Sequence, residues 1–216
     1  MSRTASSHWS LSLVNPALPS LVSSMQLGLR GCRSILDVGC GKGSPLRFLR
    51  GGQHLVGVDG FAPALEEARA LATHDEYVVG DVRKLATLFP GRSFDACVAL
   101  DVIEHLPKED GWHLLDDMEK LAKMAALVFT PNGFVPQHSK NGDLQEHLSG
   151  WTVSDFRQRG YQVFGMCGPK SLRGEYHIIK RRPRAFWALV SLIIDYAYTR
   201  KHPETAAALL AVKRLS

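Results

Sequence analysis

Residues 35–43 read Ile-Leu-Asp-Val-Gly-Cys-Gly-Lys-Gly, an apolar run with an aspartate near its end that then breaks into three alternating glycines. Ser44 and Pro45 follow, and these residue types favour the N-cap and the first position of a helix. A strand, a glycine turn and a helix in this order bring backbone N–H groups close to a nucleotide-like ligand. The stretch therefore predicts a cofactor-binding loop.

The composition is that of one ordinary globular domain. The chain has 216 residues, of which 45% are hydrophobic and 22% charged, enough for a full core. Its four cysteines are widely spaced and form no Cys-x-x-Cys pair, which argues against a zinc knuckle or a disulfide framework. No sustained apolar run follows the first residues, so a signal peptide is not expected. We expect a protein of a reducing, cytoplasmic compartment.

The net charge is unevenly distributed. Residues 151–216 carry 12 basic and 4 acidic side chains, whereas residues 1–150 carry 14 and 17. A basic surface of this kind is either a solvated face or a face that meets an anionic substrate, a membrane or nucleic acid. The solvated face is the favoured interpretation, since charge alone rarely identifies a partner.

Alternating apolar runs and helical patterns fill the chain. Strands are predicted at 34–38, 55–59, 77–81, 94–100, 126–130, 161–166 and 206–212, and helices at 16–30, 45–50, 63–71, 111–123 and from 153 to 160. Strands that alternate with helices indicate an α/β fold with a mostly parallel, doubly wound sheet. We expect a single domain over 1–216, with a lead-in and helix to residue 30, a core at 31–169, an insertion at 170–203 and a last strand at 204–216.

Four features favour a cationic methyl donor over a dinucleotide. Position 44 is Ser44, where the dinucleotide pattern needs a third glycine. Asp37 would repel a pyrophosphate but attract an α-amino group and a sulfonium. Asp59 lies 22 residues after Asp37 at a strand end, where a carboxylate accepts from a ribose diol. Asp81 ends the next strand and suits an adenine amino group.

When residues 94–107 are considered together with these features, the chain resembles the class I S-adenosylmethionine (SAM)-dependent methyltransferases over about residues 30–165. The matching segments are 36–43, 57–59, 80–82 and 94–107. The resemblance implies a Rossmann-like seven-stranded sheet of order 3-2-1-4-5-7-6, with helices on both faces and strand seven antiparallel. It also implies SAM as cofactor and S-adenosylhomocysteine as product.

The resemblance also implies the cofactor contacts. In the family the first glycines lie against the methionine end, the second-strand acid holds the ribose, and the third-strand acid with its neighbour frames the adenine. The predicted contacts are Asp37, Gly39, Cys40, Gly41, Asp59, Gly60, Asp81, Val82 and Leu100.

Two histidines are the candidate catalytic residues. A hydroxyl or carbon acid must lose a proton as it is methylated, and histidine is the natural base near neutral pH. His105 follows the fourth strand, and His147 lies in a segment that often crosses the site mouth in this family. A structural hydrogen bond is the alternative role for His105, and a solvated position is the alternative for His147. His113 and His138 are weaker candidates.

A divalent metal is the lesser alternative at the same place. Asp101, Glu104, His105 and His147 are suitable ligand types. Their spacing resembles the small-RNA 2′-O-methyltransferases, which carry Glu-x-x-Glu-His after the fourth strand, although here Asp101 replaces the first glutamate. The Glu-His-Leu-Pro string also occurs in metal-free small-molecule methyltransferases.

The acceptor is predicted by exclusion. Nucleobase and glutamine amino methylation is disfavoured, because residues 101–104 read Asp-Val-Ile-Glu where those enzymes carry an Asn/Asp-Pro-Pro-aromatic motif. We expect methyl transfer to an oxygen or carbon of a small acceptor, anionic or lipid-linked. One rival is a metal-assisted RNA 2′-O-methyltransferase; without an RNA-binding module it would depend on the basic C-terminal face, so nucleic acid is disfavoured. The other rival is a non-catalytic partner subunit. The oligomeric state stays open.

The segment 180–198 is the most unusual part of the insertion. Lys-Arg-Arg-Pro-Arg at 180–184 precedes an apolar run at 185–198 that is too short for a membrane span and contains Asp195. The favoured interpretation is a helix that covers the sheet or a dimer face. An interfacial helix on anionic lipid, with peripheral membrane contact, is the second.

Overall fold

The computed structural model describes residues 21–137, 146–174 and 178–215. Seven strands form one sheet in the order β3-β2-β1-β4-β5-β7-β6. The pairs among β1 to β5 are parallel, and β7 is antiparallel to both of its neighbours. The predicted fold class, strand order and antiparallel last strand are therefore confirmed. The strands are β1 Ser34–Val38, β2 His54–Asp59, β3 Glu76–Val79, β4 Phe94–Leu100, β5 Ala122–Pro131, β6 Gln162–Pro169 and β7 Ala206–Arg214.

Helices cover both faces of the sheet. They are α1 Leu21–Gly28, α2 Ala62–Ala70, α3 Leu85–Leu88, α4 Lys108–Leu121, α5 Val153–Arg157 and α6 Arg184–Ile194, and α6 continues into one π-helical turn, Asp195–Thr199. The predicted lead-in, the first residues of the predicted N-terminal helix and His138 lie outside the described residues.

The predicted helix at 45–50 is wrong. Its place is taken by a single 3-10 turn, Pro45–Phe48, after which Leu49 adopts an extended conformation. Gly51 and Gly52 follow with positive φ angles, a conformation that glycine adopts without cost. The predicted cap is correct, since the Ser44 hydroxyl accepts from the Leu46 N–H at 3.2 Å. The loop after β1 is thus followed by a turn instead of a full helix.

Strand boundaries also differ from the prediction. β3 ends at Val79 rather than at 81, and Asp81 caps a 3-10 turn, Val82–Lys84, by accepting from the Arg83 N–H at 2.9 Å. β5, β6 and β7 are longer than the apolar runs, because they pair with one another over their full length, up to Pro169 opposite Ala206.

The central strands are buried on both faces. Ile35 packs with α1 on one side, and Leu36 packs with α4 and α5 on the other, and both are fully buried. Strands covered on both faces read as continuous apolar runs, which is why their positions were predictable. On the α4 side the largest core residue is Trp151, whose indole N–H lies 3.2 Å from the Ile103 carbonyl and 2.9 Å from the Ser149 hydroxyl.

We predict that Gly111→Ala destabilises the fold, although alanine is the better helix former. Gly111 lies inside α4, and a Cβ there would be 2.3 Å from the Trp151 ring. Overpacking of this kind costs roughly 1–3 kcal/mol, measurable as the free energy of unfolding in urea. Gly91→Ala is the matched control, because its nearest contact would be at 3.8 Å. Equal stability of both variants would contradict the packing described here.

Candidate active site

The glycine loop after β1 turns back over the end of β2. Gly39 and Cys40 both donate their N–H groups to the Val58 carbonyl, at 2.7 and 3.1 Å. Gly39 has a φ of 69°, and a Cβ at this position would lie 2.5 Å from Val102. The turn therefore requires glycine here, both for its left-handed backbone and for the close approach of Val102.

The acid at the end of β2 holds this loop in place. One carboxylate oxygen of Asp59 accepts from the Gly41 N–H and the other from the Phe61 N–H, each at 2.8 Å. Both bonds are charge-assisted, and such bonds are stronger than neutral ones. Asp59 thus joins the glycine loop to the start of α2 while it stays at the carboxyl edge of the sheet.

A second carboxylate, that of Asp37, supports the glycine loop through His74 and Thr73. Asp37 is almost fully buried in β1, and His74 Nε2 lies 2.8 Å from its Oδ2. His74 Nδ1 lies 2.9 Å from the Thr73 hydroxyl, and Gly43 rests on Thr73 so closely that a Cβ would be 2.7 Å away. His74 lies in a loop, where no periodic pattern in the sequence singles it out. The indication that Asp37 has such a partner is indirect, since a buried carboxylate needs a hydrogen-bonding group.

A pocket of about 150 Å³ opens between the glycine loop and the end of β4. It brings together several of the predicted cofactor contacts with residues of the 3-10 turn and with Asp101. The lining residues are Asp37, Gly39, Cys40, Gly43, Ser44, Pro45, Leu100 and Asp101. Burial raises the pKa of the Cys40 thiol, so that Cys40 is a neutral wall residue and not a thiolate nucleophile.

The remaining predicted contacts follow along the same edge. The Gly80 N–H donates to the Asp59 carbonyl at 3.0 Å, so Asp81 and Val82 lie beside Asp59 and Gly60. The Asp81 carboxylate accepts from Arg83 Nε and Nη2, the latter at 2.7 Å, and this pairing lowers the pKa of Asp81. An adenine amino group would therefore share Asp81 with Arg83.

Two carboxyl groups follow β4, of which Asp101 is half-buried and Glu104 is buried. Asp101 has a φ of 53° and faces the pocket, and burial raises its pKa to about 7. Glu104 accepts from the Thr130 hydroxyl at 2.9 Å, and its side chain also hydrogen-bonds to that of Asp101. Burial, and then the nearby Asp101 charge, raise the pKa of Glu104.

The segment that follows the 138–145 gap pairs with the turn after β4. The N–H groups of Leu148 and Ser149 donate to the Glu104 carbonyl at 2.8 and 3.0 Å. His105 Nδ1 lies 3.0 Å from the Glu146 carbonyl. This pairing brings the His105 and His147 rings to a centroid distance of 4.8 Å, so the two predicted catalytic histidines are neighbours.

The hydrogen bonds of the two rings define which nitrogen carries the proton in the neutral form of each ring. His147 Nδ1 lies 2.6 Å from the Val135 carbonyl, and a carbonyl can only accept, so Nδ1 carries the proton in both rings. Nε2 is then the nitrogen with a lone pair in the neutral ring. Burial lowers the pKa of His147, which keeps this ring neutral near pH 7 and able to accept a proton.

Part of the predicted metal set is assembled. Glu104, His105 and His147 each offer a ligand atom within 4.8 Å of the others, and a carboxylate with two imidazoles suits Mn²⁺, Fe²⁺ or Zn²⁺. Asp101 is not a member of this group and lines the pocket instead. His113 is exposed on α4, away from the site.

Comparisons with known proteins agree with this geometry. Residues 36–135 match the family described as a methyltransferase domain. A sterol 24-C-methyltransferase of Gibberella zeae is 33% identical over 94 residues, which is 40% of this chain and 24% of the relative. The chain thus spans about a quarter of that relative's length.

Solved structures share the fold at low sequence identity. Small RNA methyltransferase HEN1 is 18% identical, with a TM-score of 0.57 over 89% of this chain and 24% of that one. Magnesium protoporphyrin IX methyltransferase from Synechocystis PCC 6803, with bound SAM, is 16% identical, with a TM-score of 0.52 over 97% of this chain and 79% of that one.

The sheet order and the loop after β1 define a class I methyltransferase fold. The family match over residues 36–135, a little under half of the chain, and this fold together support a SAM-dependent methyltransferase. The predictions of this family and of SAM as its cofactor are confirmed. The individual cofactor contacts and the catalytic roles of His105 and His147 stay predictions.

The raised carboxyl pKa values predict a pH-dependent stability. Above about pH 4 the unfolded chain loses a proton that a buried carboxyl keeps when folded, so the free energy of unfolding falls as pH rises towards 7. We predict that Glu104→Gln makes this fall measurably smaller between about pH 5 and pH 7.5, because its raised pKa contributes to the fall. The measurement is urea unfolding in EDTA at both pH values. Glu109→Gln, at an exposed position of α4, should follow the wild type, and parallel behaviour of Glu104→Gln would contradict the prediction.

Proposed function

We propose that the protein transfers a methyl group from SAM to an oxygen or carbon nucleophile of a small, lipid-like acceptor. The observation that carries the proposal is the junction of the pocket with the buried carboxyl and histidine cluster. Asp101 lines the pocket and interacts electrostatically with Glu104, and Glu104 lies beside both histidines. Such a cluster is suited to accept a proton from a hydroxyl or a carbon acid.

The chemistry needs little more than orientation and a base. As the acceptor atom bonds to the methyl carbon, the carbon–sulfur bond breaks, its electrons go to sulfur, and S-adenosylhomocysteine remains. The acceptor proton must then leave. We assign its removal to His147 Nε2, with His105 beside it, because burial keeps His147 neutral and its Nδ1–H is fixed on Val135. A positioned base typically contributes 10²- to 10⁴-fold in rate.

Two observations support a lipid-like acceptor. The matched relative is named as a sterol 24-C-methyltransferase, whose acceptor is a lipid and whose methylated atom is a carbon. The insertion attached at the carboxyl edge of the sheet carries exposed apolar side chains, Phe186 and Leu189 among them. A cytoplasmic, membrane-peripheral location would suit such an acceptor and stays a prediction.

Label transfer tests this proposal. Protein and SAM with a tritiated methyl group are incubated with a total lipid extract or with total RNA, and we predict label in the lipid fraction. His147→Gln should lower this transfer by about 10²-fold or more while S-adenosylhomocysteine affinity stays unchanged. His113→Gln, on the exposed face of α4, should behave as wild type. Full activity of His147→Gln would contradict its role as base, and SAM binding without transfer to either extract would favour the partner subunit.

A metal-assisted RNA 2′-O-methyltransferase is the second candidate. It is favoured by the Glu104 carboxyl group beside two imidazoles and by the fold shared with small RNA methyltransferase HEN1. Glu104, His105 and His147 would hold the ion, which would polarise a hydroxyl oxygen as a Lewis acid. The basic C-terminal residues would then meet the RNA backbone.

Chelation separates the two candidates. For the lipid-like acceptor we predict that excess EDTA leaves methyl transfer unchanged and that the purified protein holds well under one equivalent of Mn²⁺, Fe²⁺ or Zn²⁺ by elemental analysis. For the RNA candidate the label should appear in RNA, vanish with EDTA and return with one of these ions. In that case Glu104→Gln should lose the ion as well as the activity, and Glu109→Gln should keep both.

A further inference from the structure

Helix α6 is oriented with its polar residues towards the protein and its apolar residues towards solvent. Ser191, Asp195 and Thr199 recur every four residues, and all three are buried. Phe186, Leu189, Ile193 and Tyr196 recur on the other side, and their exposed fractions are 56%, 57%, 58% and 63%. A helix on a globular protein normally shows the opposite arrangement. We call these four residues the apolar face of α6.

The buried contacts fix this orientation. Asp195 Oδ1 accepts from the Gly168 N–H at 2.7 Å and from the Thr199 hydroxyl at 2.9 Å. A Cβ at Gly168 would be 2.1 Å from the Ser191 hydroxyl oxygen, so the helix lies directly against the end of β6. Rotating α6 to bury its apolar face would strand the Asp195 carboxylate and break these bonds.

A basic cluster adjoins the apolar face. Lys180, Arg181, Arg182 and Arg184 are all exposed, and the Arg181 guanidinium lies 4.9 Å from the centre of the Trp187 ring. In residues 178–202 Asp195 is the one acid, and it is buried. These cations lie at the N-terminal end of α6, which is the positive end of its helix dipole, and the first turn contains no acidic residue to offset them. External anions would stabilise this arrangement.

The insertion that carries α6 is attached at the carboxyl edge of the sheet, the edge where the pocket opens. The insertion leaves the sheet at Pro169 and returns at Ala206, and these two residues pair with each other. Asn132, which directly follows β5, donates to the carbonyls of Pro203 and Ala206 at 2.8 and 2.9 Å. The insertion therefore begins and ends at the same carboxyl edge as the pocket.

We propose that the apolar face of α6 and the basic cluster together dock the protein on an anionic phospholipid surface. The apolar residues would enter the boundary between headgroups and acyl chains, and the basic cluster would meet the phosphates. No helix in the described ranges has the length and apolar character to cross a bilayer. Within residues 178–202, a second copy of the chain would bring the same cations and no exposed carboxylate to this surface. The proposal rests on the proposed function only for its purpose, which is to bring the pocket to a lipid-like acceptor.

Vesicle co-sedimentation of the full chain tests the docking without any methyl transfer. With vesicles of about 30% phosphatidylglycerol in phosphatidylcholine, at about 0.05 M NaCl, we expect at least about tenfold stronger binding than to pure phosphatidylcholine. Raising NaCl to about 0.5 M should remove most of that difference. Leu189→Ser/Ile193→Ser and Arg181→Ser/Arg182→Ser should each weaken binding about tenfold or more.

Matched controls remove apolar and basic side chains elsewhere. Leu71→Ser/Val79→Ser replaces residues that are 64% and 58% exposed, and Arg50→Ser/Arg92→Ser removes two exposed arginines; both should bind as wild type, and circular dichroism should show every variant folded. Equal binding to both vesicles, no binding, or full binding by Leu189→Ser/Ile193→Ser would overturn the proposal. So would sedimentation of the free protein as a dimer that Leu189→Ser/Ile193→Ser dissociates. Methyl transfer in detergent could survive all of these results, so the two proposals fail separately.

Discussion

The glycine loop depends on a buried contact between the Asp37 carboxylate and the His74 imidazole. An ionised carboxylate inside a parallel sheet costs several kcal/mol unless it is paired and hydrogen-bonded. His74 supplies the partner at 2.8 Å, and its neighbour Thr73 supports Gly43. Asp59 holds Gly41 through a charge-assisted hydrogen bond. Hydrogen bonds within the protein therefore hold the loop in this conformation, and two acids near the carboxyl edge of the sheet contribute to them.

A second set of backbone contacts brings the candidate catalytic histidines next to this pocket. The Glu104 carbonyl receives two N–H groups from the segment that carries His147, and the buried Trp151 indole bonds to the Ile103 carbonyl. These contacts bring residues from two distant parts of the chain to one place beside the pocket. Because the carboxyl ends of β1 and β4 adjoin, Asp101 lines the pocket and also interacts with Glu104. The geometry supports proton removal next to the methyl donor.

The sequence predicted what local patterns determine and missed what packing determines. Apolar runs located the strands, and the acids after them marked the edge where the site lies. The 45–50 helix was wrong because Leu49 is extended before two glycines of positive φ. His74 carried no signal, since its role exists only once Asp37 is buried. Nor does an apolar stripe reveal that α6 turns Ser191 and Asp195 inward; Gly168 allows that close approach.

The most direct test of the account is the affinity for S-adenosylhomocysteine, measured by calorimetry on wild type and two aspartate variants. Asp59→Ala removes the bonds to Gly41 and Phe61, whereas Asp75→Ala removes a 2.7 Å bond to the Leu55 N–H at the opposite end of β2. We expect binding by wild type, a loss of about tenfold or more in Asp59→Ala, because charge-assisted bonds contribute roughly 1.5–3 kcal/mol each, and wild-type affinity in Asp75→Ala. Undiminished affinity in Asp59→Ala, or a wild type that binds NAD instead, would contradict the account.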